Sequence, residues 1–86
     1  PYPATREWHR ASPAGAERWA VVRPAVIARA EELGIRQDVL LKPAFQKQLA
    51  WTGWEDSSVA QVLTTLGARP WQVDQVAPAI ERAWAK

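Results

Sequence analysis

The sequence predicts an all-α fold, a compact orthogonal bundle of four to five short helices. Three observations carry that prediction. Apolar residues recur at i, i+3 and i+4 through most of the 86-residue chain. Serine, proline and glycine stand where such helices would start and stop. No segment alternates apolar and polar residues between turn signals, so nothing is left from which to build a sheet.

Residues 1–11 open with two prolines and no sustained periodicity, and they read as an interdomain linker or arm. Trp8 either tacks this arm to the body or stays with it in solvent. Order is expected from Ser12, so 12–86 is the helical domain. Ser12 is a good N-cap and Pro13 suits the first helical position. Trp19, Val22, Val26, Ala30 and Leu33 fall within about 80° of arc on a helical wheel, a core-facing stripe. Gly34 is placed to close that helix. Pro24 lies inside it and predicts a kink, or a separate short helix before it.

Asp38 can cap a single turn over Val39-Leu40-Leu41. Pro43 then starts a helix to about Trp51, with Phe45 and Leu49 inward and Lys47 outward. TGWEDSS (52–58) is a loop, and Asp56 or Ser57 caps the next helix. Val59, Val62, Leu63 and Leu66 form its buried stripe, and Gly67 ends it. Pro70 opens the last helix, whose buried face is Val73, Val76, Ala77, Ile80 and Trp84, with Pro78 threatening a bend. Trp19 and Trp84, both on stripes, are expected in the core. Trp51 and Trp54 flank Gly53, where they close the end of the bundle or leave a ring for a partner.

Composition narrows the function. There is no cysteine, which removes disulfides, thiol nucleophiles and cysteine zinc sites. With no methionine either, the chain is expected to be part of something longer. A chain of this size buries roughly 60% of its unfolded surface, enough for one core. Six tryptophans supply much of that core. No apolar run approaches the roughly 20 residues of a membrane span, and no signal peptide opens the chain, so a soluble, cytoplasmic monomer with no membrane partner is expected.

The order of these parts resembles the HRDC domain, the helicase and ribonuclease D C-terminal module, over about Ser12 to Ala85. The matching residues are Arg18-Trp19 with Val22-Arg23-Pro24, then Val39-Leu40-Leu41, then Leu49-Ala50-Trp51. The most distinctive is Gly67-Ala68-Arg69-Pro70-Trp71-Gln72-Val73. The likeness is strongest to the C-terminal domain of ribonuclease D-like 3′–5′ exonucleases of high-GC, actinobacterial-type bacteria. It implies a five-helix accessory domain that binds nucleic acid beside a catalytic core. In that family the core trims RNA 3′ ends with divalent metal held by four acidic residues, and it would lie outside this chain. Some family members serve instead as protein-contact modules, and others belong to helicases.

Residue chemistry points the same way. His9, the one histidine, sits in the expected arm without a positioned partner. A two-metal nuclease needs converging carboxylates, whereas Glu31-Glu32, Glu55-Asp56 and Asp74 are scattered. No glycine-rich phosphate loop is present. The domain is expected to be non-catalytic and to hold no cofactor.

Net charge is +2, and from Ser12 onward nine basic residues face eight acidic ones. Any contact with nucleic acid must therefore come from local clusters. Three are candidates. Arg18 and Arg29 lie three turns apart on one flank of the first helix, where they bind phosphate or simply pair with nearby glutamates. Arg36, Lys42 and Lys47 form the second, with Lys42 beside the free amides of a proline-started helix. Arg69 and Trp71 form the third. Trp71 lies about 160° from the buried stripe, and it either stacks a base beside Arg69 or folds back on Leu66.

The expected function is thus an auxiliary domain that holds the backbone of single-stranded or structured RNA, or of DNA, for a catalytic domain. Docking on that catalytic domain, or service in a helicase, are the alternatives.

Overall fold

The computed structural model describes residues 2–86, all of whose regular elements are helices. A 3-10 turn at Thr5–Glu7 leads to α1 (Trp8–Ala11), α2 (Pro13–Leu33), α3 (Gln37–Leu40), α4 (Pro43–Thr52), α5 (Val59–Leu66) and α6 (Pro70–Ala85). The long α2 is the spine. It packs against α6 and α4, while α5 rests on α6 and α4. The all-α bundle is the one expected, with one short helix more than foreseen.

Local chemistry sets most boundaries. The Ser12 hydroxyl accepts the Gly15 amide at 3.1 Å and Pro13 takes the first position of α2. At the other end Gly34 adopts φ 71°. Its amide reaches the Glu31 carbonyl, and the Ile35 amide reaches Ala30 at 3.0 Å, the paired pattern of a left-handed helix stop. Gly67 ends α5 in the same way.

The expected break at Pro24 does not occur: α2 runs unbroken from Pro13 to Leu33. Pro24 and Ala20, whose carbonyl loses its partner, both face solvent, so water can serve the orphaned oxygen. Pro78 is outward in α6 with equally exposed Asp74 one turn back, and α6 is also continuous.

The stretch expected as an arm is folded onto the body, though Pro1 lies outside the described residues. Of the two readings of Trp8, packing is the one observed. Its ring is fully buried, its Nε1 donates to the Pro3 carbonyl at 2.8 Å, and its centroid lies 5.2 Å from Trp51 and 5.8 Å from Trp19. Tyr2 meets it edge-on at 5.8 Å. Four aromatics from three parts of the chain thus form one cluster.

Four further expectations are corrected. Asp38 does not cap α3; Arg36 is the N-cap residue, and Asp38 instead accepts its guanidinium at 2.8 and 3.0 Å. The cap of α5 is Ser58, one residue beyond Ser57, its hydroxyl accepting the Gln61 amide at 3.1 Å. Trp84 is 39% exposed, because its stripe runs out at the end of α6, where it meets Trp54 edge-on at 5.4 Å. Leu33, at the end of its own stripe, is similarly exposed.

The core contains a polar network. Gln46 on α4 is fully buried and donates to the Leu41 carbonyl at 2.7 Å and to Gln37 at 2.8 Å. Arg23 of α2 donates to both glutamine oxygens, at 2.7 and 3.1 Å. No buried side-chain polar atom among the described residues lacks a partner, so the network ties α2, α3 and α4 together without leaving a buried group unpaired.

Candidate nucleic-acid interface

Two proline-started helices begin side by side. Lys42 is the N-cap residue of α4 and Arg69 that of α6, and the two line one cleft of about 460 Å³ with Phe45, Gly67, Ala68, Pro70 and Gln72. The sequence places Lys42 and Arg69 in different clusters; the fold makes them one. No carboxylate is among the lining residues. Proline at the first position carries no N–H, and the Phe45 and Gln72 amides turn back to the Lys42 and Arg69 carbonyls. That leaves the Ala44 and Trp71 amides without intrahelical acceptors, so each helix start favours an anion.

The cleft is held in shape by groups the sequence reading missed. The Gln72 Oε1 accepts the Arg69 amide at 2.8 Å, and its Nε2 donates to the Val39 carbonyl at 3.3 Å. One side chain therefore fixes the α5–α6 turn and pins it to α3. Glutamine three residues after the N-cap was the available signal. Phe45 lies under Lys42, with Nζ 5.4 Å from the ring centroid, which supports the ammonium without neutralising it.

Trp71 does not enter the core. It is 45% exposed and stands outside the core cluster, as its off-stripe position on the wheel requires. An uncommitted indole thus follows Arg69 by two residues.

The other predicted residues are placed differently. Arg18, expected on a solvated flank, is only 8% exposed. Its Nε donates to the Ala50 carbonyl at 2.6 Å and its Nη2 to the Trp51 carbonyl at 3.0 Å, so it closes the end of α4. Its supposed companion Arg29 is separate from it, donating to Gln75 of α6 at 2.6 and 3.2 Å and to Glu32 at 2.9 Å. Arg36 has an 80% exposed side chain but is matched by the Asp38 carboxylate. Lys47 is half-buried on α4 and, among the described residues, pairs with no carboxylate.

Among the described residues no three His, Asp or Glu side chains gather as metal ligands, and no helix is long and apolar enough to cross a membrane. Fold and site together define an HRDC-like helical module bearing a small basic cleft. The chain matches the family of 3′ to 5′ exonuclease C-terminal domains over residues 1–84, the Trp8 segment included, and it belongs to that family. No curated protein and no solved structure matches it.

Proposed function

We propose that this domain is the RNA-holding accessory module of a ribonuclease D-like 3′–5′ exoribonuclease, gripping the backbone so that the 3′ end reaches a separate catalytic domain. The chain itself carries out no chemistry; the divalent metal belongs to the catalytic domain. The observation that carries this reading is the pairing of Lys42 and Arg69 across one carboxylate-free cleft. Exposed Trp71 adds a stacking surface next to it.

Two phosphate contacts in a nearly neutral domain give weak affinity, roughly 10 µM to millimolar, falling roughly sevenfold between about 50 and 200 mM salt. Tethering supplies an effective concentration of about millimolar, which makes that affinity sufficient. The test is an NMR titration of the labelled domain with single-stranded RNA at roughly 50 and 200 mM salt. Shifts centred on Lys42, Arg69 and Trp71, weakened by salt and abolished in a Lys42→Ala/Arg69→Ala variant, are the expected result. No shift at millimolar RNA overturns the reading.

A second reading, docking on the catalytic domain, is favoured by the exposure of Leu33, Ile35, Val39 and Trp71. In that case the same residues respond to the catalytic domain and not to RNA.

A further inference from the structure

The cleft lies at one end of α6. On a 100° wheel Trp71, Gln75, Arg82 and Lys86 share about 60° of arc, so one face of α6 leads from the cleft toward the helix's other end. There the face borders a second groove, of about 240 Å³, between α2 and α6. Alanines of both helices floor it, and Arg29, Arg82 and Lys86 line it with Glu32 as the one side-chain carboxylate. Glu32 is engaged by Arg29 at 2.9 Å, while Arg82 and Lys86, both exposed, pair with no carboxylate among the described residues. Gln75 receives two donations from Arg29, which holds the α2 cation against this same face.

We infer that the α2–α6 groove is a second backbone-phosphate site, and that one single strand runs along α6 from the Lys42–Arg69 cleft, past Trp71, to Arg82 and Lys86. This rests on the RNA-holding reading and extends it to a path and a substrate class. Arg69 and Arg82 stand about 20 Å apart along the helix axis at 1.5 Å per residue. A dinucleotide cannot span that distance. A flexible single strand can follow a helix face and lay one base on the indole between its phosphate contacts, whereas a duplex keeps its bases stacked inside. Cations at a helix end also complement its dipole, but that effect alone does not bring Arg29 from a second helix to the same groove.

The test compares a phosphorylated dinucleotide with a single-stranded RNA of about eight nucleotides, each bound to the parent chain, Arg82→Ala/Lys86→Ala and Lys42→Ala/Arg69→Ala. Both groove residues are exposed, and an unchanged far-UV spectrum confirms that the variant folds. The groove variant is expected to bind the longer RNA roughly tenfold more weakly, with a salt slope lower by about 1.4, and to bind the dinucleotide like the parent. Equal affinity and slope for the longer RNA overturn the second site. Loss of dinucleotide and longer RNA alike in the groove variant overturns the ordered path. If Lys42→Ala/Arg69→Ala binds both ligands like the parent, it is the cleft reading that fails.

Discussion

Arg18 and Gly53 are fitted to each other. The Arg18 guanidinium crosses from α2 to close α4, and a Cβ added at Gly53 would lie 2.9 Å from its Cζ. Gly53 holds φ 78° with ψ −179°, a region that side chains avoid. It is therefore glycine for two reasons, backbone and space. Replacing Arg18 by alanine removes two charge-assisted bonds, to the buried Ala50 carbonyl and the part-buried Trp51 carbonyl, and is expected to cost about 2–4 kcal/mol in urea denaturation. Lysine, which cannot reproduce the fork, recovers only part of that. Gly53→Ala is expected to cost about 1–3 kcal/mol from backbone strain plus the clash. In the Arg18→Ala background the clash disappears and the strain remains, so the glycine substitution becomes cheaper there. Equal cost in both backgrounds would show that the two residues are not in conflict.

Trp8 makes the N-terminal segment part of the folded unit. A fully buried indole packed on Trp19 and Trp51 is expected to cost about 3–5 kcal/mol on replacement by alanine. Deletion of residues 1–11 should lower the thermal midpoint at least as far, since it also removes Tyr2 from the cluster. A flexible linker would come off with no change in the midpoint, so calorimetry of the shortened chain decides the matter.

The helix ends were legible where the signal is local. Pro13, Pro43 and Pro70 start helices, and Gly34 and Gly67 end them, because each residue's own backbone preference decides. What escaped depends on distant partners. Arg18 looks like any helix-flank arginine until α4 arrives thirty-two residues later with free carbonyls. Trp8 looks like a linker aromatic until Trp51 closes over it. Lys42 and Arg69 belong to one cleft because Gln72 ties the α6 start to Val39, a bond that no periodicity announces. Trp84 shows the converse error, a correct stripe carried past the end of the body that buries it.

The cap of α5 offers a test resolved to one residue. Asp56, Ser57 and Ser58 are all capable N-caps, but only the Ser58 hydroxyl holds the Gln61 amide. Ser58→Ala is expected to cost about 1 kcal/mol, while Ser57→Ala stays within about 0.5 kcal/mol of the parent. Glu81 of α6 accepts the Val59 amide at 3.3 Å, so Glu81→Gln should produce a smaller loss at the same helix start. Comparable losses at positions 57 and 58 would mean that the helix begins one residue earlier.

Trp71 separates a stacking surface from a docking surface. The indole is 45% exposed and lies outside the core, so replacing it should leave stability within about 0.5 kcal/mol of the parent. If it stacks a base, Trp71→Ala weakens single-stranded RNA binding by about 1–3 kcal/mol, and Trp71→Phe, which keeps a flat π face, recovers much of the loss. Stacking does not depend on counterion release, so Trp71→Ala should leave the salt slope unchanged, in contrast to Lys42→Ala or Arg69→Ala, each of which should lower it by about 0.7. An abasic strand should bind the parent as weakly as intact RNA binds Trp71→Ala. If the abasic strand binds as well as intact RNA, the ring touches no base, and its exposure is better explained by contact with the catalytic domain.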